Sequence, residues 1–496
     1  MKKTLFAGLN PRSQRQLLTA TKAIVTARLA DQVCTLVSLI VITRFLSVDE
    51  FGAYALIYAP VFLVSSLSST LWRESILSHQ LDQASLETIV SSSIPISIYT
   101  ALLAAALAFG FGGVFPEEMR SYLLPLLGCA LIIVPVASAF SALVYKQHQY
   151  TAYTITSIIS AFLSVMTLAG LLYLNLGIVA LAAALCVHAW VQAFAMIVLS
   201  GVKRFRGWHP YETFSVFRYV FQNVHHATGH AFKDILGVVF SGALFGPAGA
   251  GFYQAAETVV RSVTELVVTP LRTSGLIFFR PSPESATSPE HIRQTADEKY
   301  RGFLPIATVV IVPVFAALIL KADTLVEVLL GPSWQSVALI ATVLISARLI
   351  EFPVVAVEPV LKMVGRVNDF EKHQLLSLLV FGVAAFVARD FGLGGIAFGA
   401  VVSSLYLVCA ALVLQQKHAP VDWLLLLRTS LPAYCVPIVV AVSILTFGVL
   451  FPSDIIFPQT FNLIGSAIIG AVSYLLIVMM LGPRLFDGST ISHGEF

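Results

Sequence analysis

The chain has 496 residues, of which 57% are hydrophobic and only 11% carry a charged side chain. Because a soluble globular domain carries about 25% charged residues, this composition excludes an ordinary soluble protein. The net charge is only +3. The basic residues cluster in short segments between apolar runs, so they are interpreted as signals of membrane topology, and no nucleic-acid partner is expected.

Taken in chain order, long apolar runs fill nearly the whole sequence. About 20 apolar residues at 1.5 Å rise per residue cross the ~30 Å hydrocarbon layer of a bilayer. Runs of this kind lie near 24–45, 53–72, 89–111, 121–144, 151–174, 177–200, 221–246, 249–277, 301–320, 335–358, 371–391, 393–415, 429–450 and 460–481. The sequence therefore predicts an all-α polytopic membrane protein with about 14 transmembrane helices.

The distribution of Lys and Arg predicts the orientation of these spans. If the N-terminus is cytoplasmic, the exterior loops contain only Arg44, Arg120, Lys321 and Arg389, and most other basic residues fall in cytoplasmic segments. Cytoplasmic loops of membrane proteins carry an excess of Lys and Arg. We therefore expect a multi-pass protein with both termini in the cytoplasm.

The second six spans repeat features of the first six. Gly52 and Tyr54 open the second span, and Gly251 and Tyr253 open the eighth. Because each half holds six spans, both halves enter the membrane from the same side, as in a parallel repeat. This predicts two pseudo-symmetric six-helix lobes around a central cavity. The predicted domains are a basic cytoplasmic N-terminus (1–22), the first lobe (23–202), a cytoplasmic linker (203–220), the second lobe (221–416), two further spans (417–482) and a cytoplasmic tail (483–496).

Charged side chains also lie inside the predicted spans, where each costs roughly 2.5–3.5 kcal/mol of insertion free energy. One interpretation is internal neutralisation. Glu257, Arg261 and Glu265 are spaced to pair along one helix, and so are Arg348 and Glu351. The other interpretation is that such charges line a hydrated cavity, and the residue types alone leave both open.

Three segments resemble a known family. The segment 44–56, RFLSVDEFGAYAL, is similar to the first-loop signature of bacterial polysaccharide transporters, the Wzx-type flippases of O-antigen and exopolysaccharide units. The segments 251–256, GFYQAA, and 329–334, LLGPSW, resemble two further motifs of these proteins. The family belongs to the multidrug/oligosaccharidyl-lipid/polysaccharide exporter superfamily.

This resemblance implies a secondary transporter, not an enzyme, that works by alternating access in the bacterial inner membrane. The implied cargo is an undecaprenyl-diphosphate-linked oligosaccharide, moved from the cytoplasmic to the periplasmic leaflet. Other implied partners are membrane lipids, a polysaccharide polymerase and a chain-length regulator. In the related lipid II flippases the two extra helices help to form a groove for the lipid tail, and spans 13 and 14 are candidates for the same role.

If the charges within the spans line a hydrated cavity for such a cargo, individual residues have expected roles. The residues expected to contact phosphate or sugar are Arg261, Lys233, Arg28 and Arg348, because cationic groups bind diphosphate oxygens. Asp31, Asp234 and Glu257 are expected to couple ion movement, and Tyr54 and Tyr253 to stack on sugar rings. Lipid II flippases have an arginine near the position of Glu257, and Arg261 comes one turn later, which argues against lipid II as the cargo.

Two other functions remain as alternatives. One is a multidrug or toxin extruder of the same superfamily, which would prefer cationic cargo. The other is a membrane glycan polymerase or ligase, which is less favoured because the exterior loops are short. His226 and His230 share a helical face, but spacing places no third ligand beside them, so neither a metal nor another cofactor is expected.

Overall fold

In a computed structural model of the chain, helices connected by short turns make up the described secondary structure. The structure describes residues 11–78, 90–95, 97–99, 101–102, 117–202, 214, 224–279, 289–451 and 459–486, and these contain no β-strand. Nearly all of the predicted linker 203–220 and the larger part of the predicted span 89–111 lie outside these residues.

The helices are long, as uninterrupted apolar sequence in a bilayer requires. In chain order they are α1 (Pro11–Phe45), α2 (Val48–Ser78), α3 (Glu117–Lys146), α4 (Tyr150–Tyr173), α5 (Val179–Ser200), α6 (Val224–Phe278), α7 (Pro289–Leu330), α8 (Ser336–Ile350), α9 (Val354–Met363), α10 (Val367–Val387), α11 (Gly392–His418), α12 (Trp423–Leu450) and α13 (Gln459–Phe486).

Twelve helical stretches in the described residues are long and apolar enough to cross a membrane. One of them, within α6, combines the predicted seventh and eighth spans, and the predicted third span falls mostly outside the described residues. These two differences account for the gap between twelve and fourteen. The prediction of an all-α polytopic membrane protein is confirmed.

Helix α6 reverses direction at Gly246, whose φ of 73° and ψ of −170° are not helical. A Cβ atom on Gly237 would overlap the ring of Tyr253, although the two residues are 16 positions apart. In a straight helix they would be about 24 Å apart at 1.5 Å per residue. The two halves of α6 are therefore antiparallel neighbours, which explains how one element contains two predicted spans.

The described residues form two compact units, one ending at Ser262 and the other beginning at Val263. In the first unit, α3 packs on α2 and α5, and α4 packs on α1 and α5. Its core contains Trp72, Phe140, Leu143 and Met196, all nearly inaccessible to solvent. Small residues of α5, among them Ala180, Ala182 and Ala193, are buried and allow the close helix approach that association in lipid needs.

In the second unit, α7 contacts α8, α9, α12 and α13, while α11 packs against α8, α9 and α10. A Cβ atom on Gly395 would overlap the carbonyl oxygen of Ala388. Glycine at position 395 therefore allows the tight turn from α10 into α11. The predicted last two spans correspond to α12 and α13, which pack together and against α7. The lobe boundaries at 23–202 and 221–416 stay predictions.

The structure corrects the predicted position of Lys321. The sequence prediction ended the ninth span at residue 320 and assigned Lys321 to an exterior loop. Instead, α7 continues to Leu330, and Lys321 lies inside it. The reason is that 321–330, KADTLVEVLL, contains buried apolar residues such as Val326 and Leu330, which extend the apolar face of the helix past the lysine.

Candidate functional site

A row of aromatic side chains runs along one face of α2. Tyr54 and Tyr58 stack with ring centroids 5.5 Å apart, and the ring of Phe62 follows 5.9 Å from that of Tyr58. The spacing of four residues places all three on one face of the helix. The row ends at Arg261 of α6, whose guanidinium carbon lies 5.6 Å from the centre of the Phe62 ring, within cation–π range.

Among the described residues, Arg261 and Glu257 do not form the ion pair that their spacing allows. In the described part of the first unit, the guanidinium of Arg261 contacts an aromatic face and no carboxylate. Glu257 is buried, with 5% of its surface exposed, and Thr258 beside it is also buried. Arg261 therefore keeps its N–H edges available for an anionic group, because a cation–π contact uses the face of the guanidinium.

The other charged residues predicted as site residues in the first unit lie on two helices, α1 and α6. Arg28 and Lys233 are half-buried in α1 and α6. The Asp31 carboxylate accepts a hydrogen bond of 3.3 Å from Gln32, and it has no cationic partner among the described residues. The side chain of Asp234 lies outside the described residues.

Helices α2 and α6 approach each other closely at two glycines. A Cβ atom on Gly52 would overlap the carbonyl oxygen of Pro247, and one on Gly251 would overlap that of Val48. These are the glycines of the repeated Gly-x-Tyr motif. The tyrosines of that motif, Tyr54 and Tyr253, are buried with 9% and 3% of their surfaces exposed. Neither is open for sugar stacking in this conformation.

In the second unit, three cationic side chains within the helices lie close to glutamate carboxylates. Glu358 of α9, nearly inaccessible to solvent, lies between two cations: Arg272 Nε is 3.3 Å from one of its carboxylate oxygens and Lys362 Nζ 2.8 Å from the other. Arg348 and Glu351 are 3.7 Å apart, and Ser404 donates a hydrogen bond of 2.8 Å to Glu351. The i, i+3 spacing of Arg348 and Glu351 in the sequence indicates this pair.

Sequence reasoning did not identify Glu358 as a carboxylate that pairs with two cations. It stands in the apolar segment 354–361, VVAVEPVL, and an acidic residue isolated in such a segment is the signal that could have identified it. Its partner Arg272 lies 86 positions earlier on another helix, which helical spacing cannot reveal.

The second unit also contains an apolar groove of about 710 Å³. Its walls come from the last part of α6 and from α7, α12 and α13. Leu271, Val314, Val440, Ile444 and Ala467 are among the lining residues. The polar lining residues include Tyr474, Ser466, Ser274 and Lys321. The volume lies in the range of about 300–1,000 Å³ that is common for small-molecule sites.

Lys321 is held by a neighbouring side chain. Its Nζ donates a hydrogen bond of 2.7 Å to Oδ1 of Asn462 in α13, and Nδ2 of Asn462 donates one of 2.6 Å to the carbonyl oxygen of Phe451 at the end of α12. The ammonium is thereby fixed where α7, α12 and α13 meet.

Comparison with known proteins places this arrangement in a family. Residues 41–339 match a family model described as "Polysaccharide biosynthesis protein". No curated protein matches the chain.

Three solved structures illustrate the similarity in fold. The lipid II flippase MurJ in an inward closed conformation has a TM-score of 0.68 at 12% identity, covering 92% of this chain and 98% of its own. An inward-facing multidrug resistance MATE family transporter of the MOP superfamily has a TM-score of 0.61 at 12% identity, covering 80% and 98%. A MOP superfamily transporter from Pyrococcus furiosus, described as having a binding pocket of reversed polarity, has a TM-score of 0.56 at 13% identity, covering 81% and 95%.

Proposed function

Because the chain belongs to this family of polysaccharide biosynthesis proteins, we propose that it is a flippase for an undecaprenyl-diphosphate-linked oligosaccharide. It moves the repeat unit from the cytoplasmic to the periplasmic leaflet of a bacterial inner membrane, for exopolysaccharide or O-antigen synthesis. Transport proceeds by ion-coupled alternating access. The similarity in fold to a lipid II flippase supports a lipid-linked cargo.

The observation that carries this proposal is the apolar groove of the second unit. Two of its walls are α12 and α13, the helices that lie beyond the predicted repeat. A long isoprenoid chain remains in an apolar environment while its polar headgroup crosses, and an apolar groove provides that environment. A transporter of compact cationic drugs has no need of such a groove.

The headgroup is assigned to the cationic residues of the first unit. Arg261, with its face on Phe62 and its N–H edges available, is the main diphosphate contact, and Lys233 and Arg28 assist it. Arg348 is a weaker candidate because its guanidinium is already near Glu351. Asp31, Asp234 and Glu257 are assigned to ion coupling.

The glycine contact between α2 and α6 is assigned to the gate of the alternating-access cycle. With Gly52 and Gly251 in contact, Tyr54 and Tyr253 are buried. When this crossing separates, both tyrosines become accessible and can stack on the sugars of the cargo.

Lipid analysis of cells depleted of the protein tests the proposed function. We expect glycan-loaded undecaprenyl diphosphate to accumulate in the cytoplasmic leaflet while surface polysaccharide is lost. Complementation with the wild-type chain restores both. Normal surface polysaccharide, together with new sensitivity to cationic dyes, would contradict the flippase proposal and favour a multidrug extruder.

A further inference from the structure

Lys321 differs from three other cations within the helices of the second unit. Arg272, Lys362 and Arg348 each lie within 4 Å of a glutamate carboxylate. Among the described residues Lys321 has no acidic partner, and its ammonium donates to the neutral amide oxygen of Asn462. A charge inside a span is costly and marks functional positions in membrane proteins. No described carboxylate therefore neutralises the positive charge of Lys321.

The surroundings of Lys321 hold this charge in place. Asn462 is buried and its Nδ2 is bound to the carbonyl oxygen of Phe451, so its Oδ1 faces the lysine. A Cβ atom on Gly448 would come 3.3 Å from Lys321 Nζ, so the glycine gives the ammonium room. An ammonium has three donors, and Asn462 uses one. The other donors can bind an anion.

The position of Lys321 relative to the groove indicates which anion. The residues lining the groove extend along α7 from Val310 to Leu325, with Lys321 one turn before the last of them, and along α13 from Tyr474 to Leu463. These stretches correspond to about 22 Å and about 16 Å at 1.5 Å per residue, half or more of the ~30 Å hydrocarbon layer. The groove therefore has an apolar interior and a cation near one end, which complements a lipid chain with an anionic headgroup.

We infer that Lys321 and Asn462 form a phosphate site for the lipid-linked diphosphate while its isoprenoid chain occupies the groove. This inference rests on the proposed flippase function. Lys321 lies on the side of the membrane where α7 and α12 end, at Leu330 and Leu450, which is the periplasmic side in the predicted topology. The site thus serves the headgroup on the periplasmic side. Lysine suits a release site because it binds phosphate as a point charge, without the bidentate geometry of arginine.

The test is native mass spectrometry of the full-length chain in a neutral detergent with undecaprenyl diphosphate. Each variant carries Arg261→Ala, which removes the other proposed phosphate contact. Each also carries one further substitution, which is Lys321→Gln, Lys321→Arg or Asn462→Asp. We expect Lys321→Gln to weaken binding about tenfold, as the loss of one charge-assisted hydrogen bond does, and Lys321→Arg to retain it. Asn462→Asp weakens binding because the new carboxylate pairs with Lys321. Arg389→Gln, which removes an exposed cation outside the groove, is the matched control and binds normally.

Three results would overturn parts of this scheme, and they are distinguishable. If the wild-type chain binds no undecaprenyl diphosphate, the proposed cargo is wrong. If it binds, but Lys321→Gln in the Arg261→Ala background binds equally well, the groove-end site is wrong and the proposed function stands. If phosphatidylglycerol binds as tightly and with the same dependence on Lys321, the site belongs to a membrane phospholipid. Equal thermal stability of Lys321→Gln and Lys321→Arg shows that folding is intact.

Discussion

At the scale of single residues, the pairing of charges follows tertiary contacts more than spacing along a helix. The i, i+3 spacing of Arg348 and Glu351 predicted their contact, and the structure contains it. The same reasoning suggested that Glu257 and Arg261 pair, yet Arg261 lies over Phe62. Sequence spacing could not predict this, because Phe62 comes from a helix almost 200 positions earlier.

Replacing Glu358 by Gln should destabilise the second unit. The substitution leaves Arg272 and Lys362 close together without the buried carboxylate between them. Loss of one partner of a buried ion pair costs about 3 kcal/mol. Thermal unfolding of the purified protein measures the change. Glu298→Gln, which alters an exposed carboxylate on α7, should stay within about 0.5 kcal/mol of wild type. Equal stability of the two variants would show that Glu358 is not needed to hold the cations.

Replacing Arg261 by Ala should reduce glycan export by about 10- to 100-fold, because charge-assisted hydrogen bonds to the diphosphate are lost. The amount of surface polysaccharide in a complemented deletion strain, normalised to the amount of protein in the membrane, measures this. Arg261→Lys keeps the charge but not the planar fork, so we expect an intermediate level. Wild-type export by Arg261→Ala would remove this residue from the proposed site.

At the scale of helices, the sequence predicted positions well where turn residues mark the ends. The predicted spans 151–174 and 177–200 agree closely with α4 and α5. The turn between them contains Asn175 and Gly177, both with positive φ, a conformation that these two residue types adopt readily. The predicted end at residue 320 was wrong, because a lone lysine does not terminate a helix that keeps its apolar face.

The crossing of α2 and α6 gives a prediction at this scale. Gly52→Ala places a Cβ atom against the carbonyl oxygen of Pro247, so the helices must separate at a cost of about 1–3 kcal/mol. Hydrogen exchange of residues 48–56 should increase. Gly128→Ala is the matched control, because nothing lies within 4 Å of the added atom, and exchange should not change. If hydrogen exchange is unchanged in Gly52→Ala, the contact between Gly52 and Pro247 does not hold α2 and α6 together.

At the scale of the whole molecule, composition and repeated apolar runs predicted the fold class, and the motif at 44–56 predicted the family. The groove could not be predicted in the same way. Its lining residues come from four helices spread over residues 266–474, and none of them belongs to a recognisable motif. Apolar side chains that line a groove and those that face lipid look alike in sequence, and only packing distinguishes them.

Filling the groove should block transport without preventing membrane insertion. Ala467→Trp places a large ring in the groove, and we expect export to fall by about tenfold or more, equivalent to at least about 1.4 kcal/mol. Ile468→Trp makes a similar change on the outer face of the same helix, where residue 468 is exposed. Export by the Ile468→Trp variant should persist, because the added ring lies outside the groove. Equal export by both variants would show that the groove does not carry the lipid chain.

The contact between Gly52 and Gly251 also constrains how this chain can change in evolution. At each glycine the space for a side chain is occupied by a backbone carbonyl oxygen of the other helix. No substitution at one position can be compensated by a smaller residue at the other, because both are already the smallest. The two motifs can therefore diverge at their other positions, while these two sites accept change only with a shift of the whole helix.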